Sequence, residues 1–176
     1  LNLSRASNDY LSTSGFENTI TNFTLGTSFE YKKDLFFTPL IILEAEDLKT
    51  NTNASTALKK QDGNYNNVEL DYSFFYDKRD QSFRPTDGYY SSFNQTLPLL
   101  SNDYSLTNKY DYKFYHKLSE NMISNMSFHI SAINSLEGSD VRVSDRLFLS
   151  SRKLRGFEPG KIGPKDNLDF IGGNYT

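Results

Sequence analysis

The 176-residue chain has no cysteine, no tryptophan and only two methionines. Without cysteine there is neither a disulfide scaffold nor a thiolate zinc site. No apolar run approaches the roughly 18 residues that a membrane-spanning helix needs; the longest is Pro39-Leu40-Ile41-Ile42-Leu43. Excess positive charge is lacking too: a net charge of −3 and an isoelectric point near 5.4 give no support for nucleic-acid binding. Helical periodicity is almost absent. The chain starts at Leu1 rather than Met and is read as a piece of a longer protein.

What is present is tyrosine (12) and phenylalanine (14), set in alternating stretches. A mean hydropathy of −0.62 would suit a soluble domain. A membrane β-barrel, however, hides its apolar residues by alternation, so periodicity separates the two classes where the average does not. Residues 22–31 put Phe23, Leu25, Phe29 and Tyr31 on one face. Leu35, Phe37, Pro39, Ile41 and Leu43 share another register, with Pro39 tolerated only at an edge or a bulge. The cleanest alternation places Val68, Leu70, Tyr72, Phe74 and Tyr76 against Glu69, Asp71, Ser73, Phe75 and Asp77. Tyr89, Phe93, Leu97 and Leu99 line a further strand. Tyr110, Tyr112 and Phe114 then oppose Lys109, Asp111, Lys113 and Lys117. Met122, Met126, Phe128, Ile130 and Ala132 oppose Asn125, Ser127, His129 and Ser131.

This pattern predicts an all-β chain of about seven strands in consecutive hairpins, with residues 1–11 a strand remnant, "DRLFLSS" a run-in to a loop, and "LDFIGGNYT" a further strand cut short. Gaps read as short at 32–34 and 118–121, intermediate at 78–87, and long at 47–67, 100–107 and 150–168. Short turns at one end and long loops at the other is the pattern of an outer-membrane barrel. The charged second face suits a wet lumen better than a sandwich core. Seven strands are too few to close, and an open sheet leaves two unpaired edges. Tyr72, Tyr89, Tyr110 and Tyr112 are read as aromatics at the membrane interface.

Two stretches are more specific. "DKRDQSFRPTDGYYSSF" carries Asp77, Arg79, Asp80, Pro85, Thr86 and Gly88 in a D-x-R-D…P-T-x-G turn. "LRGFEPGKIGPKDNLDFIGGNY" carries Leu154, Arg155, Gly156 and Phe157, then Gly163-Pro164-Lys165 and Gly172-Gly173-Asn174. In this order the two resemble the BamA family, the outer-membrane β-barrel assembly factors, also called the bacterial surface antigen family. Leu154 stands where the family has Val or Ile, and Ser150-Ser151 where Gly-Gly is common. The resemblance covers residues 22–176 well and 1–21 loosely. It implies part of an antiparallel transmembrane β-barrel, about strands five to twelve of sixteen, with a long loop folded into the lumen. Residues 1–176 would be a fragment of the C-terminal barrel domain, without the POTRA repeats and the remaining strands.

Arg155 is a planar cation with five donors, suited to holding a carboxylate bidentately. Gly156 permits a tight turn, Phe157 supplies anchoring area, and Pro159 and Pro164 restrict the unfolded loop. The reading is a loop latch, Leu154-Arg155-Gly156-Phe157; the resemblance places the acidic partners of Arg155 beyond Thr176. His116 and His129 are read as ordinary strand residues, "DGNYN" as a turn rather than a calcium loop, and no His-paired serine signals a hydrolase. The resemblance implies a non-enzymatic factor, without cofactor or metal. It would assist the folding of unfolded outer-membrane β-barrel proteins into lipid of the bacterial outer membrane, beside accessory lipoproteins and periplasmic chaperones. The alternatives are a polypeptide transporter of the two-partner secretion type and a diffusion porin.

Overall fold

The computed structural model describes residues 1–150, 153–158 and 160–176; the readings placed on Ser151 and Pro159 lie outside the described residues. The chain forms β1 (Asn2–Tyr10), β2 (Phe16–Gly26), β3 (Phe29–Lys32), β4 (Leu35–Thr50), a single helical turn α1 (Thr56–Lys59), β5 (Gly63–Asp77), β6 (Gly88–Ser101), β7 (Ser105–Ser119) and β8 (Met122–Ser135). Two short strands follow, β9 (Lys165–Asp166) and β10 (Asp169–Phe170). Eight strands make one antiparallel sheet in the order β1-β2-β4-β5-β6-β7-β8, with β3 also on β4. β2 and β3 behave as one broken strand. The break at Thr27–Ser28 lies opposite Pro39, which has no N–H to give to a ladder. The sheet is open, with β1 at one edge and β8 at the other.

Period two sorts the residues onto two faces. On the outer face one register row joins Leu3, Phe23, Leu43, Val68 and Leu100. Another joins Phe37, Phe74, Phe93, Tyr110 and Ile130. The inner face is polar: Ser73, Asn94, Lys109 and Ser131 share one row, and Phe75, Ser92, Asp111 and His129 the next. Apolar side chains such as Ile41, Leu43, Phe74, Phe128 and Ile130 are exposed on the outer face, as a lipid-facing band requires.

Several boundaries differ from the sequence reading. β2 starts at Phe16 rather than 22, β4 runs on to Thr50, and β5 starts at Gly63. The expected long loop at 100–107 is a three-residue turn, 102–104. The cause is common to all of these. Beyond the row Leu3–Phe23–Leu43–Val68–Leu100 the outer face turns polar and the inner face carries only scattered apolar residues such as Phe16 and Leu48, so alternation disappears while the hydrogen-bond ladder continues. β6 bulges at Leu99, where Val68 pairs with Leu100 and Glu69 with Pro98, so Leu97 and Leu100 both lie on the outer face. β8 ends at Ser135, so the long loop begins there rather than at 150 and includes "DRLFLSS". Of the expected last strand, β10 and two bridges, from Gly173 to Leu147 and from Tyr175 to Ala132, form.

Tyr76, Tyr89 and Tyr112 form a chain of ring contacts at 5.8 and 6.0 Å near the end bearing turns 33–34, 78–87 and 120–121. Tyr72 and Tyr110, expected beside them, sit deeper in the apolar face, where Gln95 and Ser91 meet their hydroxyls. The opposite end bears 11–15, 51–62, 102–104 and the long loop. A small apolar core of Phe16, Leu48, Ala54, Leu58 and Val143 lies inside it, flanked by Tyr65 and Ile171.

Candidate functional site

Inner-face side chains of β2, β4 and β5 receive the long loop. Asn18 and Leu48 are direct neighbours across β2 and β4, and Glu46 and Tyr65 across β4 and β5. Into this wall the loop inserts Val141, Arg142 and Val143, each at most 3% exposed. The Arg142 guanidinium meets Asp145 (3.0 and 3.2 Å from Nη2) and Glu46 Oε2 (3.3 Å). Its Nε donates to Ser144 Oγ (3.0 Å), and Ser144 Oγ donates to Glu46 Oε2 (3.2 Å). Asn18 donates to the other Glu46 oxygen at 2.6 Å. The guanidinium carbon lies 4.0 Å over the Tyr65 ring, a cation–π contact strengthened by burial. Arg142 Nη1 is buried without an acceptor among the described residues. Two backbone anchors complete the seat: Val143 N donates to Gln61 Oε1 (2.8 Å), and Arg146 Nε to Val141 O (2.9 Å). Burial pushes the Asp145 carboxyl up to about 6; Arg142 opposes the rise and Glu46 adds to it.

The sequence reading missed this seat. A signal existed: Glu44 and Glu46 occupy inward positions of a strand whose outward positions are apolar. Two carboxylates held there call for a cation, and Val141-Arg142-Val143 offers one between two β-branched residues.

The predicted latch residues lie further along the loop. Leu154, Arg155, Gly156 and Phe157 are exposed, Phe157 at 56%. Gly156 has φ +90°, a backbone that favours glycine. Lys153, just before them, is held below the usual lysine range by burial; Asp111 opposes this, and Lys109 and Lys113 reinforce it. The latch segment therefore starts beside the inner wall of β7–β8. Pro164 accepts a hydrogen bond from Ile171 N (3.1 Å), Lys165 sits 4.2 Å over the Phe170 ring, and Asp166 is tied to Ser55. Gly173 exchanges two bonds with Leu147 (2.8 and 2.9 Å), and Asn174 O accepts from Ile133 N. Gly163-Pro164-Lys165 and Gly172-Gly173-Asn174 thus close the base of the loop.

At the other end, the turn residues form one unit. Arg79 holds Asp77 bidentately at 2.8 and 2.7 Å. Asp80 accepts from Thr86 N and Oγ1 (2.9 and 2.6 Å) and from Asp87 N (3.2 Å). These bonds, Thr86's first, hold the Asp80 carboxyl down at about 2. Pro85 follows Arg84, which has φ +54°, so the turn reverses just before the proline. Gly88 has φ +94°, and a Cβ there would lie 2.1 Å from Lys78 O. Lys78 pairs with Asp34 of the neighbouring turn.

The two histidines lie on β7 and β8, as the sequence reading had them, each beside an aspartate. His116 Nδ1 lies 3.3 Å from Asp87. His129 meets Asp111 through Nδ1 (2.8 Å) and Ser131 Oγ through Nε2 (2.9 Å). The trio has the order of a serine-hydrolase relay. Ser131 is 3% exposed, though, and its backbone exchanges two hydrogen bonds with Thr176, so its hydroxyl is enclosed rather than offered to a pocket.

A family profile described as the Omp85 superfamily domain matches residues 1–176. A SAM50-like protein of Schizosaccharomyces pombe is 34% identical over 129 residues, 68% of this chain and 27% of the relative. The chain spans about a quarter of the length of that relative.

Proposed function

Because the chain belongs to the Omp85 superfamily, we propose that it is a section of the barrel of an outer-membrane assembly factor, which helps other β-barrel proteins fold and insert. The observation that carries this reading is the long loop seated inside an open, lipid-faced sheet by the buried Arg142 cluster. A lumen occupied by a pinned loop does not suit a diffusion porin. It suits a barrel whose work is done at its wall, where it offers strand edges and disturbs lipid. The SAM50-like relative supports an assembly factor over a secretion transporter.

The factor acts without nucleotide or covalent chemistry; its substrates are unfolded barrel chains, and helper proteins deliver them. Its membrane is an outer membrane. The fungal relative favours that of a mitochondrion, whereas the turn and loop motifs resemble the bacterial family. Depletion of the full-length protein tests the function. Folded, protease-resistant barrel proteins should fall while helix-anchored proteins of the same membrane stay level. Unchanged barrel proteins with a lost secreted polypeptide would support the transporter instead. Fractionation of a tagged full-length copy decides the compartment.

A further inference from the structure

At the end bearing the short turns, the outer face gathers cations in one place. β3 bulges at Tyr31, so Lys32 is the residue that pairs with Leu35 and lies on the outer face. In an unbroken ladder Tyr31 would stand there and Lys32 would point inward. Leu35 is in turn the cross-strand neighbour of Tyr76. Lys78 is the next outward position after Tyr76, and its N donates to Tyr89 O at 2.8 Å. The two lysines thus flank Leu35 and Tyr76 from strands about 10 Å apart. Each ammonium lies against a tyrosine ring, Lys32 over Tyr31 at 5.9 Å and Lys78 over Tyr76 at 5.6 Å. Lys33 follows in the turn. Asp34 pairs with Lys78, while Lys32 and Lys33 have no acidic partner among the described residues. Glu30 pairs with the inward Phe36 and takes the Asp34 N–H at 2.7 Å. Lys32, Lys33 and Lys78 against Asp34 leave the patch positive. The apolar band starts at Leu35 and continues as Phe29, Phe37 and Phe74, with successive rings 5.7 and 4.6 Å apart.

We propose that this patch is a binding site for an anionic phospholipid, with its phosphate between Lys32 and Lys78 and an acyl chain along Leu35, Phe37 and Phe74. Three observations select this occupant. The patch sits where the lipid-facing band ends, which is the level of the headgroups. Its charge complements a phosphodiester that carries no ammonium of its own; a zwitterionic headgroup gains little from a positive surface. The aromatic run leading away from the lysines matches a ligand with a charged head and an apolar tail, and a free phosphate has no use for it. The patch lies on β3, β4 and β5, whose neighbours β2 and β6 are both present in the sheet, so no further barrel strand covers it. The inference needs the lipid-faced barrel and does not depend on what that barrel does for other proteins.

Photo-cross-linking of the full-length protein tests this. A benzoylphenylalanine placed at Leu35, in vesicles of equal phosphatidylglycerol and phosphatidylcholine, should capture phosphatidylglycerol in excess. Lys32→Gln and Lys78→Gln should each lower that preference about fivefold. Lys32→Arg should keep it, because the charge stays. Lys109→Gln, on the inner face, should leave it unchanged. Added salt should weaken the preference, whereas inorganic phosphate at matched ionic strength should not compete further. Heat-modified gel mobility checks that each variant is folded. Equal capture of the two lipids, no capture of lipid at all, a preference indifferent to both glutamine variants, the same loss in Lys109→Gln, or specific competition by inorganic phosphate would each overturn the proposal. None of these outcomes bears on the assembly role, which depletion reads separately.

Discussion

Arg142 is enclosed by Glu46, Asp145 and the Tyr65 ring, so removing it leaves two carboxylates facing each other without a cation. Arg142→Ala should destabilise the seated loop by about 3 kcal/mol or more, the range for breaking a buried pair. Arg142→Lys should recover only part, since an ammonium cannot span both carboxylates and stack on the ring. Protease cleavage within 136–150 of the full-length protein measures this; equal resistance of all three forms would refute the seat. Asp145 adds a pH dependence. Its folded carboxyl titrates near 6, above its unfolded range. The folded state therefore holds the extra proton, and the stability linked to it is full below about pH 4 and lost as pH rises through 6. Asp145→Asn should thus gain on the parent from pH 5 to pH 7 in thermal unfolding; a constant difference would contradict this. Arg155 is a separate case. If it latches the loop, Arg155→Ala should lower the folded amount of a client barrel protein more than Lys161→Ala or Lys165→Ala at equal expression. Three equal effects would reduce Arg155 to a solvated charge.

At the scale of elements, each strand has two lengths, that of its ladder and that of its lipid-facing part. β5 is laddered from Gly63 to Asp77, but its outer face is apolar only from Val68 to Tyr76. Spin labels placed singly along 68–77 should alternate, with Leu70, Tyr72 and Phe74 open to oxygen and Glu69, Asp71 and Ser73 to a polar reagent. A flat profile would mean the sheet is not lipid-faced. The turn 78–87 explains its own motif. Asp77 engages Arg79, Asp80 ties off Thr86 and Asp87, and Gly88 passes where a Cβ would strike Lys78. These bonds hold the exit of β5 against the entry of β6, so the turn sets the register of that hairpin.

For the whole molecule, the balance is set by the small size of the core. Five buried apolar residues form it, all under the loop end, while much of the outer face is exposed hydrocarbon. An open sheet with apolar outer residues and free edges associates in water. The 176-residue chain alone, without detergent, should therefore sediment as aggregates or oligomers. A monomer with dispersed amide signals would contradict the membrane reading.

Alternation of apolar and polar residues was enough to determine an all-β, two-faced sheet, because the period of a strand is local and each outward position must suit lipid. The turn at 78–87 was legible for the same reason: Gly88 answers a backbone need set by its immediate neighbours. The strand ends were not legible, since above the lipid band the outer face is no longer apolar and the inner face buries only scattered residues such as Phe16 and Leu48, so no alternation marks the strand. Nor was the Arg142 seat, which joins residues 46, 65 and 142 through three strands and a loop. The same holds for the patch of Lys32, Leu35, Tyr76 and Lys78, whose members become neighbours only through the bulge in β3 and the β3–β4–β5 register. Tertiary structure decided these because charge pairing and cross-strand contact depend on which strands lie side by side and in what register, which no local pattern encodes.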